Sequence, residues 1–279
     1  MQSYYTDFDM NRRQNLPKGR IRLATVLRST GEFVRISDVE ESLNISRSAA
    51  SKLLSRWVGQ GWLERVGPGI YTAVSLDLIG VGSVLDHPEM IVPALFDPAY
   101  IGGRTATEYW GLTEQIFRDT VVVTGRPVRS KYQKILGLPY TIKHIHPDKI
   151  FGLETMWFQS IKTAISDVPR TILDLLDDPA FGGGIEHVID CFAEYMRHDH
   201  RQDKMLISYA ERLGNGAVFK RLGFLAEHQS DCNYLIDACR QRMTKGNAKL
   251  IPTLPCPRLV TRWRLWVPEI DIQDGRDGY

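Results

Sequence analysis

The chain has 279 residues, 43% of them apolar, and its 35 Lys and Arg stand against 33 Asp and Glu for a net charge of +2. That balance is ordinary for a globular protein, and the length suffices for two domains with a core each. It contains no run of 18 apolar residues, which argues against a membrane-spanning helix, and the polar start M-Q-S-Y-Y-T-D-F-D-M is unlike a secretory leader, so a cytoplasmic protein is expected. The charge is uneven, because residues 1–75 hold 11 Lys and Arg against 7 Asp and Glu, leaving the remainder net negative. The four cysteines (Cys191, Cys232, Cys239 and Cys256) have no C-x-x-C spacing. Buried reduced thiols are therefore expected rather than a zinc site.

Residues 1–19 read as a flexible basic arm, with Asn11-Arg12-Arg13-Gln14 and Lys18-Gly19 on either side of Pro17. Ile21, Leu23, Ala24 and Leu27 begin a helix that stops before Gly31. The stretch Ile36–Val74 is the most informative of the chain. Val39 and Leu43 share one face of a short helix, Asn44-Ile45 break it, and Ser46 stands where an N-cap should be. Ala50, Leu53, Leu54 and Trp57 follow at i, i+3, i+4 and i+7, and the opposite face of that second helix is polar and basic. Trp62–Val66 and Ile70–Val74 read as strands turned by Gly67-Pro68-Gly69.

Two short helices followed by a glycine-tipped hairpin make a winged helix-turn-helix, expected over residues 20–75. Such a unit presents the first turn of its second helix to base edges in a major groove. The residues expected on DNA are Arg47, Ser48, Ser51, Lys52 and Arg56 on that helix, with Arg65, Gly67 and Gly69 in the wing. Small residues at Ser48 and Ala49 allow close backbone approach, and the cations suit phosphate or guanine.

A connector is expected over 76–98, with a helix opened by Pro88 and closed at Asp97-Pro98. The C-terminal domain, 99–279, reads as larger and mixed α/β, which makes the whole protein α+β. Its helix before Gly111, the T-V-V-V-T strand at 120–124, strands at 140–146 and 156–158, and a helix capped by Asp167 come first. Helices near 185–198, 203–213, 216–226 and 232–243 and a last strand at 262–267 come after. Trp110, Trp157, Trp263 and Trp266 are expected in the core.

Catalytic signatures are missing: G-x-S-x-G, the P-loop, H-E-x-x-H and the dinucleotide fingerprint do not occur. His198-x-His200, near Asp199 and Asp203, reads as a solvated helix end, and His144-x-His146 has no third ligand, so no metal, cofactor or catalytic residue is expected. A Gly-Gly before a helix and strand resembles the opening of nucleotidyltransferase-like domains. Those enzymes hold Mg²⁺ on two or three carboxylates, whereas the strand here starts with Asp119 alone; Arg104, Arg118 and Arg126 suit phosphate, not metal. A non-catalytic relative is expected.

Three blocks carry a family resemblance. They are Tyr100-Ile101-Gly102-Gly103 with Ala106 and Tyr109–Gln115, then Asp167–Asp174, then Tyr209-Ala210-Glu211-Arg212-Leu213-Gly214-Asn215-Gly216 running on to Gly223. With the winged helix they resemble the AbiEi antitoxins of bacterial type IV toxin–antitoxin systems, over roughly residues 20–268, departing from the usual first block at Arg104. The resemblance implies a bacterial antitoxin and transcriptional autorepressor linked to abortive infection. It would bind inverted repeats of duplex DNA in its own promoter; apart from the resemblance, a monomer or weak dimer, nucleoid-associated when bound, is expected. Its C-terminal domain would counter a nucleotidyltransferase toxin without forming a stable complex. Arg170, Asp174, Lys220 and Arg221 either form the surface that counters the toxin or pair between helices to fix the domain. Two other functions stay open: a winged-helix regulator answering a small effector, and a nucleotidyltransferase with a DNA-targeting domain.

Overall fold

The computed structural model describes residues 18–74, 87–158 and 160–269. The chain divides into two compact units, the first made of residues 1–87 with the short pieces 135–137 and 159–161, and the second of the rest. The arm assigned to 1–19 lies outside the described residues except for Lys18 and Gly19, which already belong to a helix.

In the first unit that helix is α1 (Lys18–Ser29), followed by β1 (Phe33–Arg35), α2 (Ile36–Leu43), α3 (Arg47–Gly59), β2 (Leu63–Gly67) and β3 (Ile70–Ala73). The strands form a sheet in the order β1-β3-β2, with Val34 opposite Tyr71 and Arg65 opposite the same residue from the other side. One core closes the unit: Leu23 and Val26 of α1, Val39 of α2, Ala50, Leu53, Leu54 and Trp57 of α3, and Val34, Leu63 and Tyr71 of the sheet. Each helix therefore buries one stripe, as its apolar spacing requires.

The second unit opens at Pro88, so the helix read from sequence as connector belongs to it. A 3₁₀ turn, Pro88–Met90, runs into α4 (Ile91–Leu95), and the Tyr140 hydroxyl donates to the Pro88 carbonyl at 2.8 Å. Then come β4 (Ala99–Ile101), α5 (Gly103–Tyr109), β5 (Thr120–Thr124), β6 (Tyr132–Ile135), β7 (Leu138–His144), β8 (Leu153–Phe158) and β9 (Ile161–Ser166). They build a six-stranded sheet in the order β6-β7-β5-β4-β9-β8, in which β5 runs parallel to β7 and antiparallel to β4. All five residues of β5 are buried, as a continuous apolar run in a central strand predicts.

Five helices follow: α6 (Val168–Asp177), α7 (Ile185–Arg197), α8 (Asp203–Leu213), α9 (Gly216–Ala226) and α10 (Asn233–Arg242). They share the largest core, which takes in Leu173, Phe192, Leu206, Leu222, Leu235 and Trp263. Asp167 caps α6 by accepting the Arg170 N–H at 2.8 Å, with Pro169 in the first turn. A small sheet ends the described chain: β10 (Ala248–Lys249), β11 (Arg258–Val260) and β12 (Leu265–Val267), in the order β10-β12-β11. The strand expected at 262–267 is shortened, because Thr261–Trp263 form a 3₁₀ turn and Arg264 takes a left-handed conformation at φ 50°. Trp263 is fully buried, but Trp157 is 66% exposed, against expectation. It lies on β8, an outermost strand, whose alternation turns Met156 inward and Trp157 outward.

Candidate nucleic-acid interface

The helix-turn-helix is set by three local devices. Asn44 takes the left-handed conformation at φ 48° and ends α2, while its N–H still reaches the Glu41 carbonyl. Ser46 is extended, and its Oγ accepts the Ala49 N–H at 3.4 Å to start α3. Leu54 and Trp57, fully buried, then hold α3 against the first unit's core. The arc of α3 left outside contains Arg47, Ser48, Ser51, Lys52 and Arg56, all exposed. At about 100° per residue these five span roughly half the helix circumference.

The first turn of α3 has no acidic residue, and its free N–H groups and helix dipole favour an anion there. Arg47 is 74% exposed and touches Glu40 at 3.5 Å, a loose pair that leaves the guanidinium available. Arg56 lies nine residues further on, about 14 Å along the axis. If Arg47 stands at the groove floor, Arg56 is placed for a flanking phosphate instead.

In the wing, the register shifts between Arg65 and Gly67, a bulge that lets β2 bend into the turn. Gly69 closes the turn at φ 74°, where a side chain would be strained. Arg65 is exposed, and its Nε donates to the Gly67 carbonyl at 3.2 Å, so its guanidinium is held along the tip. Gly67 and Gly69 are half-buried backbone positions. One basic residue was missed by the sequence reading. Arg35 is exposed at the end of β1 and sits opposite Ile70, beside the wing turn. Its N–H is held by Asp38 at 2.7 Å. The signal for it was a cation directly before the first helix of the motif.

In the second unit the surface expected from Arg170, Asp174, Lys220 and Arg221 does not exist, since the four are only 1%, 5%, 2% and 4% exposed. Arg170 Nε donates to Asp174 Oδ1 at 3.0 Å, and Nη2 donates to the Tyr100 hydroxyl at 2.8 Å. Burial pushes the Asp174 pKa up, with Arg170 and Lys143 opposing it. Lys220 Nζ donates to Thr244 Oγ1 and to the Gly246 carbonyl. Arg221 Nη1 donates to the last carbonyls of α6, Leu176 at 2.6 Å and Asp177 at 3.1 Å, while Nε and Nη2 hold the Lys249 carbonyl. It thereby caps α6 and fastens β10. Burial lowers the pKa of both Lys220 and Arg221. These four residues are architectural.

The remaining polar motifs are also committed locally. Arg104 pairs with Asp119 at 2.5 Å and Arg126 donates to the Leu95 carbonyl at 3.2 Å, whereas Arg118 is exposed. The His198 ring bonds the Trp110 carbonyl through Nε2 at 3.0 Å and accepts the His200 N–H on Nδ1, which ties the end of α7 to the end of α5. His146 Nδ1 accepts the Asp148 N–H. Among the described residues no three His, Cys, Asp or Glu side chains come together as metal ligands. No described helix is long and apolar enough to cross a membrane.

A capped second helix with an exposed basic face, a left-handed break and a bulged wing define a winged helix-turn-helix domain within a protein of α+β architecture. Residues 22–74 match the family model described as "Transcriptional regulator, AbiEi antitoxin". No curated protein matches the chain.

Proposed function

We propose that the protein is the autorepressor and antitoxin of a type IV toxin–antitoxin pair, acting in the bacterial cytoplasm and on the nucleoid. The observation that supports this most directly is the free basic arc of α3 within a domain that matches AbiEi regulators. Arg47, Ser48, Ser51 and Lys52 enter the major groove of each half of an inverted repeat. Arg56, Arg65 and the Gly67–Gly69 turn reach flanking phosphates. Two copies sit on the two half-sites, with no dimer, or only a weak one, beforehand. The second unit, residues 99–279 in the sequence reading, counters a nucleotidyltransferase toxin without a lasting complex.

The test uses promoter DNA and the full chain. Arg47→Ala and Lys52→Ala should each cost about 1–3 kcal/mol of operator affinity, a loss of roughly 5- to 150-fold. An unchanged mobility shift with both replaced would remove α3 as the contact helix. The double variant, expressed from an unrelated promoter beside the toxin, should lose repression and keep neutralisation. Neutralisation lost together with DNA binding would mean that antitoxin action is repression alone.

A further inference from the structure

The second unit carries a basic edge that the DNA-binding reading does not use. Between Asp119 and Asp148 the chain has no carboxylate and five cations: Arg126, Arg129, Lys131, Lys134 and Lys143. Lys143 is taken by Asp177 at 2.7 Å, and Arg126 reaches the Leu95 carbonyl. Arg129, Lys131 and Lys134 are exposed, and none is in an ion pair with another described residue. They surround β6, which is an outermost strand of the six-stranded sheet.

Tyr132, in the middle of these cations, is 69% exposed. Along β6 it shares a face with Lys134, while Gln133 and the buried Ile135 take the other. The Lys131 ammonium lies 5.7 Å from its ring centroid. The Ile142 N–H donates to the Lys131 carbonyl at 2.7 Å, so the backbone of Lys131 and Gln133 faces β7. By the same alternation the backbone groups of Tyr132 and Lys134 face outward from the sheet. The Tyr132 carbonyl also accepts the Ser130 hydroxyl at 2.7 Å.

Lysines on an outer strand are enough to discourage pairing with another strand. An exposed tyrosine between them is not needed for that purpose, and it sets an aromatic face among the cations. An aromatic face flanked by cations is what an unpaired base and its phosphates fit. A duplex hides its base faces in its own stack. A ribose 2′-hydroxyl both donates and accepts, so it can use the outward N–H and C=O groups of the strand; deoxyribose offers no such group.

We propose that the β6 edge binds single-stranded RNA. A base stacks on Tyr132, Arg129, Lys131 and Lys134 hold the flanking phosphates, and the sugar meets the outward backbone of Tyr132 and Lys134. This goes beyond operator binding and does not depend on it.

The test is fluorescence anisotropy of the full chain with a labelled oligouridine about 15 nucleotides long, a length that fills one such site. Oligo-dT and a random duplex of equal length are the comparisons. Tyr132→Ala should weaken oligouridine binding about 5-fold or more, and Tyr132→Phe, which keeps the ring, should not. Lys134→Ala and Arg129→Ala should each weaken binding and lower the salt slope by about 0.7. Arg47→Ala should leave oligouridine affinity unchanged, and oligo-dT should bind more weakly. Because these side chains are exposed, the melting temperature of each variant should match the parent. The proposal is overturned by any of four results: no oligouridine binding, binding indifferent to Tyr132→Ala, binding lost with Arg47→Ala, or equal affinity for oligo-dT. Failure to bind promoter DNA would leave each of these measurements standing, so the two readings fail separately.

Discussion

Arg170→Ala separates an architectural role from a toxin-facing one. Its guanidinium is 1% exposed, bonded to Asp174 and Tyr100, and lies 4.3 Å from the Phe151 ring centroid. Without it the Asp174 carboxylate, 5% exposed, keeps one hydrogen bond, from the Tyr100 hydroxyl at 3.1 Å. Removing one partner of a buried pair costs about 3–5 kcal/mol, because the other charge stays buried without compensation. A domain of ordinary stability has about 5–15 kcal/mol in total, so the second unit of this variant should unfold at much lower urea. Replacing both charges, as Arg170→Met with Asp174→Leu, removes the stranded carboxylate. The double variant should then be markedly more stable than the sum of the single losses predicts, by about 1–3 kcal/mol. Urea denaturation followed by circular dichroism measures the cycle. If Arg170→Ala unfolded like the parent and yet failed to neutralise the toxin, the guanidinium would have to be accessible and functional, and the burial argument would be wrong.

Gly223→Ala should be strongly destabilising, because a Cβ there would stand 2.1 Å from the buried Trp263 ring. Overpacking of this kind costs about 1–3 kcal/mol or more, and a thermal melt within a degree or so of the parent would refute the contact. His187 is 4% exposed, with Nε2 3.3 Å from Thr107 Oγ1, and burial, aided by Arg104, holds its pKa below the ordinary histidine value. The unfolded chain then takes up the proton first, so stability is complete above about pH 6.5 and declines as the pH falls below it. His187→Gln should flatten that decline; an unchanged difference in urea midpoint between neutral and mildly acidic pH would show that His187 is not its source.

The first unit was legible because each local signal agrees with the others. Ser46 as cap, Asn44 as break and the spacing of Ala50, Leu53, Leu54 and Trp57 all point to one arrangement, and the structure has it. The misses in the second unit have identifiable causes. The β6–β7 hairpin turns on Leu136 and Gly137, both at positive φ, and a leucine there carries no turn signal. β9 runs almost directly into α6, with only the cap Asp167 between its last residue Ser166 and the helix, so no turn residue sets the strand apart in the sequence. Arg264, left-handed like Leu136 and equally unannounced, removes the start of the expected last strand, which begins only at Leu265. Lys220 and Arg221 stand side by side in a helix, which in sequence reads as a solvated face. Only the chain returning at Thr244–Lys249 with its carbonyls makes their burial possible, and that return leaves no local trace in α9. Arg170 and Asp174, four apart on one helix, were readable as a pair, but their depth was not.

The place where a nucleotidyltransferase would gather carboxylates shows what the second unit has instead. Asp119 precedes the buried strand β5, and it accepts hydrogen bonds from Arg104 and from Thr141 on the neighbouring strand β7. Burial would raise its pKa, but those two donors outweigh it and hold the carboxyl below the usual range. The group is therefore ionised and already neutralised by a guanidinium that is itself only 18% exposed. A divalent cation needs an excess of negative oxygen ligands, and it would have to displace Arg104 to find even one here. A nucleotide phosphate fares no better, because the same ion pair occupies the cation. Asp119 and Arg104 thus cancel each other as catalytic candidates, and together they bridge α5 to the start of β5. With Asp119 and Arg104 committed to each other, the charged groups of the second unit that face solvent are exposed ones such as those along β6.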